Sequence, residues 1–410
     1  MPFLFLIYII AYLDRVNISF ANLDMSKDLH FSDQIFGTGA GIFFWGYFLL
    51  EIPGAIIVER WSARKWLARI MISWGIITAG LAFVHTWWQF YGARFLLGAA
   101  EAGFFPGLIV YLTHWFRQQD RAKAVALLMS AVPLSQVAGA PIARALLHVH
   151  WMGLAWWRWL FVVEGIPAVI FGFVTLLWLT DRPQHAAWLP DDEKDWIIGE
   201  LDREKEIKKA KHSYTVFKAL AHRDVLTLAG VYFCAVTTSY GCTFWFPTIL
   251  KRASGLSNEV VTVVALLPFF VSWLCMMFNG WHSDHHHERR FHVAVPQLAA
   301  CVALAVAALT GGSNVVLLVG LFCVAIGGIN AYLPAFWALS TLTLTETAGA
   351  AAVGMINSVG NLGGFMGPYV MGYLRDHTRS FAAGIGALSF AAFLASVLTL
   401  TVRHHRAHPE

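Results

Sequence analysis

The segment Pro2-FLFLIYIIAYLDRVNISFA-Asn22 decides the class of this protein. It is long and apolar enough to cross a lipid bilayer, yet it carries Asp14 and Arg15 side by side. One charge at the centre of a membrane helix costs roughly 2.5–3.5 kcal/mol, so two adjacent charges are expected to face a wet cavity or a partner. The segment lacks a basic leader and a small-residue cleavage site, so we expect it to stay in the mature protein.

The composition extends this interpretation to the whole chain. Of its 410 residues, 58% are hydrophobic and 13% are charged, and the mean hydropathy is +0.59. Soluble domains carry about 25% charged residues. The predicted fold class is therefore an all-α integral membrane protein with twelve transmembrane helices in two six-helix bundles. The apolar runs lie near residues 3–22, 36–58, 66–86, 89–115, 122–147, 156–180, 224–250, 259–281, 292–310, 314–338, 348–374 and 380–402.

One long polar segment divides the chain. The sequence predicts an N-terminal bundle over residues 1–180, a cytoplasmic linker over 181–222, a C-terminal bundle over 223–403 and a cytoplasmic tail over 404–410. Within the linker, Asp191, Asp192 and Glu193 follow Pro190, which is typical of a helix N-terminus and indicates a surface helix.

Matching charged turns follow the second and the eighth span. The interval from Glu59 to Asp284 equals the interval from Arg64 to Arg289, which indicates a duplicated architecture. Such turns can clasp neighbouring helices and gate the conformational change; the alternative is that they only set topology. The residues predicted to act as gates are Glu59, Arg60, Arg64, Asp284, Arg289 and Arg290.

The distribution of basic residues predicts the orientation. Lys and Arg concentrate in the connections after even-numbered spans, so both termini are expected to be cytoplasmic, in an inner membrane of bacterial type. This bias accounts for most of the net charge of +4, and no basic face interleaved with aromatic residues indicates nucleic acid.

The five cysteines lie within predicted spans without metal-ligand spacing. For the histidines near His282 to His292, a solvated loop is favoured over a metal site.

Two further charges share a helix face with one another. Arg94 and Glu101 are seven residues apart on the fourth span, so they lie on nearly the same face, about 10.5 Å apart along the axis. With Asp14 and Arg15 they give four charges around a cavity, which suits a carboxylate because a guanidinium offers paired donors. The alternative is that the four charges form mutual salt bridges that pin two helices.

Other residues are weaker candidates for the cavity wall. A phenol or an amide there can contact a ligand, but it can equally pack or join helices. Glu51, deep in the second span, is either a third titrating group or an internal hydrogen-bonding acid. The candidate contacts are Tyr12, Tyr47, Gln136, Tyr240, Trp245, Trp337, Asn357 and Asn361.

Four motifs carry a resemblance to a known family: Tyr12-LDRVNISFAN, Gly41-IFFWGYFLLEIPG, Arg94-FLLGAAEAGFFPG and Trp188-L. The chain resembles a major facilitator superfamily transporter. Within that superfamily it is similar to the anion:cation symporters, which include permeases for tartrate, galactonate, hexuronates, phthalate and nicotinate, and the bacterial tartrate branch is the nearest. The turn after the second span departs from the superfamily pattern Gly-x-x-x-Asp-Arg-x-Gly-x-Arg-Arg at Ala55, Glu59 and Ser62.

The resemblance implies roles for the four charges. Asp14 and Glu101 match the protonation acids of the family, and Arg15 and Arg94 match its contacts to the substrate anion. We therefore expect proton-coupled uptake of a small organic anion by alternating access, with a small carboxylate, protons and the lipid bilayer as partners. No cofactor and no obligate protein partner are expected.

Other functions stay open at this point. An efflux antiporter or a uniporter is the rival within transporters, and a non-transporting membrane receptor is the rival outside them. An enzyme is not expected, because the sequence contains no His-Glu-x-x-His, no Gly-x-Ser-x-Gly and no nucleotide-binding loop.

Overall fold

The structure is a computed structural model that describes residues 1–209, 222–312, 314–343 and 346–402. Over these residues the chain is helical and contains no strand. The first half comprises α1 (Pro2–Val16), α2 (Ile18–Asp28), α3 (Asp33–Arg60), α4 (Ala63–Leu81), α5 (Trp87–Glu101), α6 (Phe104–Thr113), α7 (Gln118–Leu146) and α8 (Trp156–Trp178).

A polar helix, α9 (Asp191–Lys209), follows the first half. The second half comprises α10 (Arg223–Ser254), α11 (Asn258–Val264), α12 (Leu266–His285), α13 (Arg290–Thr310), α14 (Val315–Ala331), α15 (Leu333–Thr343), α16 (Glu346–Asn361), α17 (Gly363–Thr378) and α18 (Ala382–Thr401). The predicted tail 404–410 lies outside the described residues, and the predicted domain boundaries remain a prediction.

The helices account for the twelve predicted membrane crossings. In the described part of the chain, nine segments are long and apolar enough to span a membrane, and several of them join two consecutive helices. The segment Pro2–Asp28 contains α1 and α2, and the segment Trp87–Thr113 contains α5 and α6. The three remaining predicted spans correspond to α3, to α4 and to the pair α16 and α17.

Four of the spans are interrupted near their middle. The fourth span breaks after Glu101, where Ala102 is extended and Gly103 has φ +84°, a conformation that glycine adopts without strain. The first span breaks at Asn17, and later spans break at Tyr332 and at Leu362. Such breaks are tolerated at membrane depth where other helices or a wet cavity satisfy the freed backbone groups.

Polar side chains join the two halves at one end of the molecule. We call the end that carries α9 the linker end and the opposite end the distal end. At the distal end, Arg252 donates two hydrogen bonds of 2.6 Å to Asp33, and Asn258 donates one of 2.7 Å to Asp24. Because Asp33 begins α3 and Arg252 lies in the last turn of α10, these contacts hold the distal ends of the halves together.

The helix α9 docks on the first half. Arg117, just before α7, lies 3.8 Å from Glu200, and its guanidinium lies over the ring of Trp196. Trp115 stacks on Trp188 with ring centroids 5.7 Å apart. The linker helix is thus attached to the connection between α6 and α7.

Candidate substrate and proton site

A cavity lies between the two halves at the level of the span breaks. Residues from α1, α3, α5, α6 and α7 form one wall, and residues from α10, α14, α15 and α16 form the other. Its lining is mostly aromatic and amide. Among the described residues that line it, only Arg15 and Glu101 are charged.

Both terminal nitrogens of Arg15 have polar partners, and three aromatic rings surround its guanidinium. Its Nη2 makes a salt bridge with Glu101, and its Nη1 donates a hydrogen bond of 3.2 Å to the hydroxyl of Tyr240 in the second half. Aromatic rings face the guanidinium carbon at 4.8 Å, 5.1 Å and 5.4 Å, and cations are attracted to such ring faces. These rings belong to Tyr12, Phe43 and Tyr47.

Glu101 owes its position to the break in the fourth span. It is the last residue of α5, and the chain turns away at Gly103 before α6 begins. The C-terminal end of a helix attracts cations, and the guanidinium of Arg15 occupies this place. The first and fourth spans therefore meet in one buried ion pair at the cavity wall, with both side chains at most 7% exposed.

Asp14 lies behind the cavity rather than on its wall. It is 4% exposed and accepts a hydrogen bond of 2.5 Å from the indole N–H of Trp74 and a longer one of 3.4 Å from Thr78, both on α4. Its Oδ1 is buried and has no hydrogen-bond partner among the residues that the structure describes. The structure thus places Asp14 against α4, whereas the sequence predicted that it would lie at the cavity with the other three charges.

Arg94 is also behind the cavity. Its side chain is fully buried, and it donates to the carbonyls of Gly39 at 3.3 Å and Ala40 at 3.0 Å on α3. The ring centroid of Phe43 lies 5.1 Å from the guanidinium carbon of Arg94 and 5.1 Å from that of Arg15. Of the four charges expected around one cavity, the structure brings Arg15 and Glu101 to it and sets Asp14 and Arg94 back.

Comparison with known proteins agrees with this architecture. The family model described as Major Facilitator Superfamily matches residues 4–368. The chain belongs to the major facilitator superfamily. A bacterial homologue of the human lysosomal transporter Spinster, in an inward-facing and unoccupied conformation, has a similar fold with a TM-score of 0.78 and 19% identity, covering 99% of this chain and 98% of that one. The predicted fold class is confirmed.

Two relatives illustrate the range of names in this group. A protein of Agrobacterium vitis named as a candidate tartrate transporter is 45% identical over 98% of this chain and 92% of its own length. A quinolone resistance transporter of Acinetobacter baumannii is 36% identical over 98% of this chain and 92% of its own length. The chain is a multi-pass membrane transporter and not an enzyme, as the sequence predicted.

Most of the weaker candidates line the cavity of this transporter. They are Tyr12, Tyr47, Gln136, Tyr240, Trp337, Asn357 and Asn361. Trp245 does not line it: its ring is fully buried and its N–H donates to the carbonyl of Pro368 at 3.1 Å. Tyr8 and Asn330 line the cavity as well and were not predicted, because nothing in the sequence distinguishes them from packing residues.

Glu51 links the two halves of the transporter. Its carboxylate accepts hydrogen bonds from the amide of Asn357 and, at 2.9 Å, from the hydroxyl of Ser358, both on α16. Glu51 lies two-thirds of the way along α3 from the distal end. Among the hydrogen bonds and ion pairs between the halves in the described residues, this one is nearest the linker end. Of its two predicted roles, the internal hydrogen-bonding acid matches this geometry.

Among the predicted gate residues, Arg64, Asp284 and Arg289 make polar contacts that do not cross between the halves. The backbone N–H of Arg64 and the hydroxyl of Ser62 donate to Asp181, at 2.8 Å and 2.6 Å. In the second half, Arg289 pairs with Asp284 at 2.5 Å. The side chains of Glu59 and Arg60 lie outside the described residues, and Arg290 begins α13.

The histidine-rich turn does not resemble a metal site. Among the described residues, no group of three or more His, Cys, Asp or Glu side chains could hold a metal ion. Nε2 of His292 lies 2.6 Å from Nδ1 of His282, and Nδ1 of His292 lies 2.8 Å from Oε2 of Glu288. Burial alone would raise the pKa of Glu288, but hydrogen bonds from the backbone of Phe291 and from His292 outweigh it and hold that pKa below its ordinary value.

Two acids were missed in the sequence. Asp181, after α8, accepts hydrogen bonds from the turn that begins α4. No local sequence pattern reveals a contact between residues so distant in the chain. Glu164 lies in the apolar run of α8 and is 5% exposed. The signal that singled out Asp14, an acid inside a spanning segment, could also have found Glu164.

Proposed function

We propose that this transporter is a proton-coupled symporter that imports a small organic anion by alternating access. The observation that carries the proposal is the pairing of Arg15 with Glu101 at the cavity wall. A guanidinium stays protonated, whereas a carboxylate can be neutralised by one proton. A proton on Glu101 would therefore release Arg15 for a carboxylate of the substrate.

The substrate class follows from the lining. A guanidinium offers two parallel donors to a carboxylate, and the amides of Gln136, Asn357 and Asn361 can bond to hydroxyl groups on the same small molecule. A tartrate-like hydroxy-acid, a sugar acid or an aromatic carboxylate fits this combination. The name of the Agrobacterium vitis relative, a candidate tartrate transporter, supports beginning with tartrate.

Alternating access requires the two halves to separate at each end in turn. In this conformation the contacts of Arg252 with Asp33 and of Asn258 with Asp24 hold the distal end closed. If the linker end is cytoplasmic, as the basic residues predict, the distal end faces the outside of an inner membrane. The gate roles of Glu59, Arg60, Arg64, Asp284, Arg289 and Arg290 would then need contacts that form in another conformation.

Energy for accumulation would come from the proton gradient. Moving one charge across 100 mV is worth about 2.3 kcal/mol, so co-transport of more protons than substrate charges concentrates the anion. In this scheme Glu101 is the proton site in direct contact with Arg15. Asp14 is a second proton site, and Arg94 a second cation that contributes to the field around Phe43.

The test uses purified protein in proteoliposomes with an imposed pH gradient and labelled L-tartrate, with galactarate and nicotinate as further probes. Glu101→Gln should still exchange labelled for unlabelled substrate across the bilayer but fail to accumulate it. Glu193→Gln, at an exposed position on α9, is the matched control and should accumulate like the parent. Accumulation by Glu101→Gln equal to that of the parent would remove Glu101 from the coupling step.

Export is the second candidate. The relative named as a quinolone resistance transporter favours it, and so does the aromatic lining, which includes Tyr8, Tyr232, Tyr332 and Trp337. Aromatic rings of an amphipathic drug could stack on such a wall. In cells that express the transporter, a proton-linked exporter would lower the accumulation of ciprofloxacin, whereas an importer of organic acids would leave it unchanged and would raise uptake of tartrate.

A further inference from the structure

We propose that Glu164 is a third proton-binding site of the first half, coupled to Asp14 and separate from the ion pair of Arg15 with Glu101. The inference rests on the proposed proton coupling and adds a site to it. Glu164 does not line the cavity, and the exchange between Arg15 and Glu101 does not involve it.

The first observation is the environment of the carboxyl group. Glu164 is 5% exposed, and both of its oxygens are buried without a hydrogen-bond partner among the described residues. An ionised carboxylate without a cation or a donor is very costly in a membrane interior, whereas the neutral acid is tolerated. Glu164 therefore carries a proton in this conformation.

The second observation is the close crossing of α4 and α8 next to Glu164. A side chain on Gly165 would place its first carbon 2.5 Å from the carbonyl oxygen of Gly75, and one on Gly75 would lie 2.6 Å from that of Gly165. The two backbones are thus in contact. Trp74, the neighbour of Gly75, is the residue that donates to Asp14, so Glu164 and Asp14 both border the seam of α1, α4 and α8.

The two acids act on one another across this seam. Two carboxylates at one seam of a membrane protein repel one another when both are ionised, and the charged groups on α5, Glu101 and Arg94, add to the surroundings of Asp14. Within the described part of the chain Asp14 has two donors, Trp74 and Thr78, and Glu164 has none, so the pair is arranged to hold one proton on Glu164 while Asp14 is the acid that can ionise.

Protonation of Glu164 can be measured without transport. The parent, reconstituted without substrate, should show the infrared carbonyl band of a neutral carboxylic acid that Glu164→Gln lacks. That band should shift in heavy water, because a working proton site exchanges. Glu193→Gln should retain the band. A missing band, or a band that never exchanges with heavy water, overturns the proposal and makes Glu164 a fixed structural acid.

Transport then tests coupling. With L-tartrate as the probe, the number of protons moved per tartrate should fall in Glu164→Gln, while Glu164→Asp, which keeps the carboxyl group, should restore it. An unchanged proton count in a folded Glu164→Gln overturns the coupling role.

If the parent moves no protons with any probe, the proposed symport fails, and the infrared exchange still decides whether Glu164 binds an exchangeable proton. Should Glu164→Gln fail to fold, Glu164→Asp replaces it in the infrared measurement, where a displaced band identifies the group.

Discussion

Asp33 and Arg252 form a two-bond ion pair that joins the first helix residue of α3 to the last turn of α10, with both N–O distances at 2.6 Å. Nε of Arg375 lies 3.9 Å from Oδ2 of Asp33, and the backbone N–H of Gln34 donates to the carboxylate of Asp376 at 2.8 Å. The ends of α3, α10 and α17 are therefore tied together by charge. Opening the distal end must break this cluster.

We expect Asp33→Asn to shift the transporter toward the state that is open at the distal end. The substitution keeps the shape of the side chain but removes its charge. Arg252 is partly exposed, so the shift should be modest, about two- to fivefold in the ratio of states, as for ion pairs worth less than ~1 kcal/mol. Site-directed accessibility labelling at both ends measures that ratio.

The matched control is Asp192→Asn on α9, an exposed acid away from the interface between the halves. The ratio of states should not change in this variant. An unchanged ratio in Asp33→Asn as well would mean that the pair does not influence the conformational equilibrium.

Replacement of Glu51 should shift the ratio of states in the direction opposite to that of Asp33→Asn. Its hydrogen bonds with Asn357 and Ser358 join the halves on the linker side of the molecule, so Glu51→Ala should favour the state that is open at the linker end. The same labelling experiment measures the change. Combining Glu51→Ala with Asp33→Asn should return the ratio toward that of the parent, since the two effects oppose one another. If Glu51→Ala shifts the ratio in the same direction as Asp33→Asn, the contact with α16 does not close the linker end.

The two arginines should respond differently to the same substitution. Arg15→Lys removes the paired donors at the cavity wall, and we expect it to weaken tartrate binding about tenfold or more, because hydrogen bonds to charged groups contribute roughly 1.5–3 kcal/mol. Arg94→Lys removes donors to the carbonyls of Gly39 and Ala40. It should chiefly lower the melting temperature. Calorimetric titration and thermal unfolding of both purified variants separate the two roles.

Equal losses of affinity in Arg15→Lys and Arg94→Lys would contradict this division. That result would mean that Phe43 moves when substrate binds, so that Arg94 reaches the cavity as the sequence predicted.

The sequence predicted the spans and the two charges that line the cavity, Arg15 and Glu101, because hydropathy and charges inside apolar runs are local signals. It did not predict the partner of each charge. Helical spacing places Arg94 and Glu101 on one face, but the break at Gly103 and the neighbouring helices decide which of them reaches the cavity. The donor to Asp14 is Trp74, a contact between helices that no spacing within one helix reveals.

The turn that begins α4 offers the last prediction. Asp181 accepts from the hydroxyl of Ser62 and from the backbone N–H of Arg64, so it stabilises the first turn of that helix from the end of the neighbouring span. None of the three residues belongs to the second half. We therefore expect Asp181→Ala to lower the stability of the protein by about 1–2 kcal/mol, as loss of a helix cap does, without changing the ratio of states. Thermal unfolding and accessibility labelling measure these two effects separately, and Asp192→Ala serves as the exposed control. A shift in the ratio as large as that of Asp33→Asn would instead make this turn a gate, which is the role that its charged residues predicted.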